Sequence, residues 1–256
     1  DIINKELKKN KTEFVPVDSE HFSIWYALKN IDKMLIDKIY LTASGGPFLK
    51  KTVRKLYKVK IKQAINHPNW KMGKKISIDS ATMMNKVFEI IEAKKIFNLS
   101  YNKLSILIHP KSYIHAIIKF KNGLTKIIVH DTSMKIPIFN SLYSSNNFIN
   151  SKELDLKTLN NLELKKVDYI KFPVAKILVK LPEKSSLYET ILITVNDYLV
   201  HKFLDNKINF RKLTDMTYKI SNLKEFQRFK KIKPKNVEDI YTLRDYVSLK
   251  MNSLGI

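Results

Sequence analysis

The spacing of apolar residues changes character along this chain, and that change limits the fold more than any other feature. Over the first 140 residues, short β-branched and aromatic runs alternate with helical patterns, and from about residue 185 the pattern is helical. EFVPV (13–17) and DKIYLT (37–42) read as buried strands, with HFSIWYALKN helical between them. Such an α/β unit offers ligand sites in the loops at its strand ends. In TASGGPF, Gly45-Gly46 fits a tight turn or a close backbone approach, and Pro47 ends the element.

KISID (75–79) reads as a further strand, and 80–98 as a helix capped by Ser80, with Met83, Met84, Val87, Ile90, Ile91 and Ile96 on its apolar face. LSILIHP is a strand ending at His109-Pro110, and SYIHAIIKFKNGLTKIIVHD is an antiparallel pair turning at Asn122-Gly123. Periodicity is lost over 141–170. The expected fold is therefore α+β. An α/β-type domain with a mixed sheet (1–145) carries the chemistry, followed by a connecting segment (146–184) and a small C-terminal helical domain (185–256).

A chain of 256 residues can bury a large core, and no run approaches the eighteen apolar residues of a membrane span. The N-terminal DIINKELKKNKTEF has no apolar core of a signal peptide, so none is expected in the chain as it stands. Without cysteine there are no disulfides, thiolate metal sites or cysteine nucleophile. The net charge of +23 raises nucleic acid as a partner. The excess is nearly all lysine, spread over every segment, and lysine lacks the bidentate fork that reads bases. A small phosphate-bearing substrate fits the same field, and no nucleic acid is expected.

Against this basic background stand two acidic clusters. In PVDSEH (16–21), Asp18 and Glu20 are two apart with the Ser19 hydroxyl between them, and Glu89 on the 80–98 helix can add a third carboxylate. Three hard oxygen donors suit Mg2+ or Mn2+. The bland reading is a helix cap at Asp18 and solvated glutamates. Ser44, Ser80, Asn85 and Lys86 are the hydroxyl, amide and ammonium donors a phosphate needs, with a helix start at Ser80 favouring the anion; singly, each is a cap or surface residue. His67 can bind an anionic substrate, Trp70 and Met72 can close over it or simply be core, and His109 can support a metal-binding carboxylate.

PVDSEH, LTASGGPF, HPNWKMGKKISIDSATMMNK and LIHPKSYIH, in that order, resemble successive motifs of the 1-deoxy-D-xylulose 5-phosphate reductoisomerase family. The resemblance runs from about residue 14 to 140 and continues more thinly through ITVND (193–197) into the helical tail. It implies NADPH-dependent conversion of 1-deoxy-D-xylulose 5-phosphate to 2-C-methyl-D-erythritol 4-phosphate in non-mevalonate isoprenoid biosynthesis. It further implies a homodimer, and Asp18, Glu20 and Glu89 as ligands of Mg2+ or Mn2+. Lys86 and His67 join the carboxylates as catalytic groups. Ser19 contacts the substrate hydroxyl region, while Ser44, Ser80, Asn85 and Lys86 hold the phosphate. His67, Trp70 and Met72 form a substrate-covering loop, Glu92 and His109 support the site, and Met134 lies near the nicotinamide.

The chain departs from the family pattern in several places. No dinucleotide-binding domain precedes Asp18, so this reads as the catalytic and C-terminal portion of such an enzyme, without its own NADPH-binding domain. MNKVFE stands for the usual MNKGLE, Ala43 for a common glycine, and HDTSMKIP lacks the usual Pro-Asp before methionine. Asp197 stands where glutamate is usual. The alternatives are a non-catalytic metal- and phosphosugar-binding remnant and a basic RNA-binding protein, for which Trp70 is the one aromatic platform on offer. The lysine, asparagine and isoleucine bias looks like that of an AT-rich apicomplexan genome, which implies a plastid (apicoplast) location.

Overall fold

The computed structural model describes residues 2–143 and 147–255. Its elements begin with α1 (Ile2–Lys9), α2 (Ser19–Ala27), β1 (Ile36–Ala43), α3 (Val53–Leu56), α4 (Ile61–Ala64), α5 (Lys74–Thr82) and α6 (Met84–Phe97). Then come β2 (Leu104–Ile108), β3 (Ile114–Phe120), β4 (Thr125–Val129), α7 (Lys135–Leu142) and α8 (Leu156–Leu159). A buried 3-10 stretch, Pro173–Lys180, leads into α9 (Tyr188–Leu204), α10 (Phe210–Ser221), α11 (Lys224–Gln227) and α12 (Val237–Ser253).

The sheet is mixed, in the order β2-β1-β3-β4. β1 pairs in parallel with β2 and antiparallel with β3, so that Leu41 stands beside Ile106 on one side and Ala116 on the other. The β3–β4 hairpin turns at Asn122-Gly123, where Asn122 Oδ1 accepts from the Leu124 N–H at 3.2 Å. Ile36, Ile39, Leu41, Ile106 and Ile118 form one core with Ile24 of α2 and Ile90 and Phe97 of α6. A second core joins Ile78 of α5 and Met84, Val87 and Ile91 of α6 to Ile191, Val195 and Leu199 of α9, Leu213 of α10 and Val247 of α12. Each such side chain contributes about 1.5–3 kcal/mol on burial.

Helix α6 belongs to both cores, which is why its apolar residues run round most of its circumference. Residues 172–177 are shared in the same way: Phe172 and Ala175 face the sheet core, Val174 and Ile177 the helical one. The domain boundary expected at 145–146 lies outside the described residues.

Three local expectations are corrected. Residues 13–17 form no strand and run extended into α2, because Pro16 has no N–H for a ladder and Phe14 and Val17 are exposed rather than packed. KISID is helical: the alternation of Ile76 and Ile78 mimics a strand, yet Ser77, Ile78, Asp79, Ala81 and Thr82 are buried on α5. The helix expected at 80–98 starts earlier and is broken at Met83, a fully buried residue in the left-handed region (φ 70°), where β-carbon crowding costs about 1–2 kcal/mol. Ser80 is thus in the last turn of α5 and accepts the Met83 N–H through its carbonyl, rather than capping a helix start. The helix start at that point is that of α6, four residues on. α10 is an amphipathic helix within the expected C-terminal helical region.

Candidate metal and anion site

Asp18 is both the cap and the candidate ligand that the sequence offered as alternatives. Its Oδ1 accepts the N–H groups of Glu20 (3.2 Å) and His21 (3.3 Å) at the start of α2. One turn of helix then carries Ser19, whose hydroxyl donates to Glu20 Oε2, and Glu20 itself. From the opposite side, α6 presents Asn85, Lys86 and Glu89 on one face, as i, i+3 and i+4 spacing requires. Asn85 donates its amide to Glu89 Oε1, and Lys86 Nζ lies 2.5 Å from Glu20 Oε1 and 2.6 Å from Glu89 Oε2. One carboxylate oxygen from each of Asp18, Glu20 and Glu89 lies within 4.8 Å of the others.

The electrostatics follow from crowding three acids around one ammonium. Burial works to raise the Glu20 carboxyl, but Lys86 outweighs it and holds the group at about 2. Glu89 is raised well above the ordinary carboxylate value, by burial first and the Glu20 charge second. Asp18 has a side chain 47% exposed at its tip, yet desolvation by the surrounding protein and then Glu20 push it up. Such a set fits a divalent cation: three hard, anionic oxygens converge, with one positive charge to offset three negative ones.

The sequence-expected residues Asp18, Ser19, Glu20, Ser44, His67, Trp70, Met72, Ser80, Asn85, Lys86, Glu89 and Met134 all line one cavity of about 300 Å³. Ser44 follows β1 and is fixed by the Gly46 N–H (3.0 Å) and His67 Nε2 (2.9 Å). The N–H groups of Asn69 and Trp70 donate to His67 Nδ1 at 3.1 and 3.0 Å, so the neutral ring carries its proton on Nε2 and donates it to Ser44. The Ser44 hydroxyl proton is left to donate to a ligand. Burial, then the Lys86 charge, lowers the His67 pKa to about 4. His67 is therefore placed to orient the Ser44 hydroxyl as a neutral ring.

Asn85 and Lys86 line the cavity and bond the carboxylates, while Ser44 and Ser80 line it as well. His109 lies outside the cavity lining, with its Nδ1 3.0 Å from the Glu163 carbonyl. The supporting histidine is instead His21: its Nε2 donates to the Glu89 carbonyl at 2.9 Å, and its Nδ1 lies 3.4 Å from Asp18 and 3.8 Å from Glu92. Glu92 thereby keeps its supporting place.

Sequence reasoning missed His115, Ser112, Thr42 and Met83, which also line the cavity. His115 and Ser112 stand inside the quoted LIHPKSYIH, and His21 closes PVDSEH, so the signal was present. The His115 ring stacks on His130 (3.7 Å between centroids) and meets the edge of Trp70 at 6.1 Å, and burial lowers its pKa to about 4. Val87 points away from the ligand oxygens into the helical core, which absorbs the bulk that MNKVFE adds.

Residues 14–97 match the family described as 1-deoxy-D-xylulose 5-phosphate reductoisomerase C-terminal domain, and 130–247 match DXP reductoisomerase C-terminal domain. A 1-deoxy-D-xylulose 5-phosphate reductoisomerase from Pelagibacter ubique is 59% identical over 256 residues, covering 100% of this chain and 66% of the relative. One from a Sulfurihydrogenibium species is 39% identical over 242 residues, covering 94% and 63%. The chain thus spans just under two thirds of the relatives' length. Among solved structures, a DOX-P reductoisomerase in complex with NADPH, fosmidomycin and magnesium superposes with a TM-score of 0.86 at 31% identity, covering 98% of this chain and 65% of that one. The enzyme from Zymomonas mobilis in complex with NADPH gives 0.83 at 27% identity, covering 99% and 64%. With fold, motifs and site in agreement, the chain belongs to the 1-deoxy-D-xylulose 5-phosphate reductoisomerase family.

Proposed function

We propose that this chain is the metal- and substrate-binding portion of an NADPH-dependent reductoisomerase that converts 1-deoxy-D-xylulose 5-phosphate to 2-C-methyl-D-erythritol 4-phosphate. The observation that carries the reading is the convergence of Asp18, Glu20 and Glu89 within 4.8 Å in a cavity whose other wall presents Ser44 and Ser80. Asp18, Glu20 and Glu89 would hold Mg2+, the ion named with related structures, or Mn2+, which the same oxygen set accepts. Bound there, the ion supplies Lewis-acid polarisation of substrate oxygen atoms.

The protein's own groups do the rest. Lys86 is held by Glu20 and Glu89, and shares its charge with substrate oxygen when those carboxylates turn to a cation. Ser44, oriented by neutral His67, and Ser80 anchor the phosphate away from the reacting carbons, so that binding energy orients the substrate. Trp70 and Met72 wall the cavity and exclude water. Met134, 38% exposed, offers an apolar surface for a nicotinamide supplied by a segment beyond these residues. Trp70 is half-buried against the edge of His115, which disfavours it as the stacking platform of the RNA-binding reading. The homodimer implied by the family resemblance finds support in β4, one edge of the sheet, where Ile127 is exposed beside the exposed Leu124 of the preceding turn.

The test is calorimetric titration of the chain with Mn2+ and then with the substrate, beside Asp18→Asn. Metal-dependent substrate binding that the substitution abolishes supports the reading. A folded chain that binds neither ligand refutes it.

A further inference from the structure

Asp79 is a carboxylate buried to 2% exposure on α5, outside the cavity lining. Its Oδ1 accepts the amide of Asn196 on α9 at 2.8 Å, across 117 residues of sequence, and its Oδ2 takes Lys75 Nζ at 2.7 Å. Lys75 also reaches Asp197 Oδ1 at 3.0 Å. Asn196 is 1% exposed. Ile76 and Ser80 of the same helix, with its C-cap Met83, follow at i, i+4 and i+7 and line the cavity, which Asp79 does not.

A nine-residue helix is too short to hold itself, so its placement comes from its neighbours. On one side the backbone of Gly46 (φ 65°) presses so closely that a β-carbon there would stand 2.8 Å from Ala81 Cα and 3.2 Å from the Ser80 carbonyl. On the other side apolar contacts with α9 tolerate sliding and rotation, whereas the amide–carboxylate pair does not. A buried carboxylate is a poor source of net stability compared with an apolar pair of the same volume, and its attested use is to fix register. The Thr82 hydroxyl donates to the Asp79 carbonyl in the last turn, and the half-exposed Lys75 links α5 to Asp197, which leaves the Asp79–Asn196 pair as the buried directional anchor between α5 and α9.

We propose that Asp79 and Asn196 are positioning residues that set the register of α5, and through it the Ser80 hydroxyl and the Met83 kink of the anion-binding wall. This rests on the reading of Ser80 as a phosphate donor given above. Neither residue touches the cavity; both act through the helix.

The test compares the wild-type chain with Asn196→Leu and with the exchange Asp79→Asn/Asn196→Asp. Calorimetry measures affinity for Mn2+ alone and for inorganic phosphate in saturating Mn2+. The loss of one anchoring hydrogen bond predicts that phosphate binding in N196L weakens about tenfold. Mn2+ affinity stays within about twofold, because its ligands lie on α2 and α6. The exchange variant, which restores a donor–acceptor pair, recovers phosphate affinity. Should N196L not fold, Asp79→Asn alone takes its place with the same expectation. Unchanged phosphate affinity, or a parallel fall in both affinities that the exchange does not rescue, overturns the assignment. A wild-type chain that binds Mn2+ but not phosphate overturns the phosphate reading itself, and this inference with it.

Discussion

Lys86 Nζ lies 2.5 Å from Glu20 Oε1, and each group is the other's main counter-charge, with the ammonium buried to 5% exposure. A divalent cation therefore competes with the ammonium for the same oxygens. Lys86→Met in the absence of added metal should lose about 3 kcal/mol, since removing one partner of a buried ionic cluster strands the other. Added Mn2+ should then raise the melting temperature of the variant more than that of the wild type, because no ammonium has to be displaced. Thermal melts with and without Mn2+ check both halves, and a variant as stable as wild type without metal contradicts the first.

Acid sensitivity should arise from His67 and His115. Both are lowered to about 4, chiefly by burial, while the unfolded chain titrates near the ordinary 6.5. Between those values the unfolded state binds protons that the folded state refuses, so stability is full above pH 6.5 and falls as pH drops toward 4. Urea unfolding at pH 6.5, 5.5 and 4.5 should show this slope, shallower in His67→Gln and in His115→Gln. A slope identical in all three proteins would remove these histidines as its source.

Val87 occupies the position where the family commonly has glycine, and here it is fully buried in the helical core. Val87→Gly should cost about 3 kcal/mol, from lost burial together with the poor helix propensity of glycine. Mn2+ affinity should remain unchanged. A tighter Mn2+ site in the glycine variant would show instead that valine distorts the ligands.

The candidate ligands were readable in the sequence because they lie in short, contiguous stretches: PVDSEH holds the start of α2, and MNKVFE one face of α6. The hairpin and the long helices α9 and α12 were readable from periodicity over enough residues. What was not readable depends on distant partners. EFVPV has strand-like residues but no neighbour to pair with, and Ile76 and Ile78 alternate like a strand although α5 is held as a helix between Gly46 and α9. The reversal at Met83 leaves no local mark, because a buried methionine in the left-handed region is sustained by the packing around it. His109 and His115 look alike in LIHPKSYIH, yet His109 follows the end of β2 while His115 sits at an irregularity in the pairing of β3 with β4, and only the second lines the cavity.

Among the described residues, every one that lines the cavity precedes position 135, yet α6, which carries Glu89, has its other flank pressed against α9 and the helices beyond it. The last seventy residues are thus a buttress that fixes where one of the cavity's acids stands. Inherited change in that tail is screened by the chemistry it supports from behind.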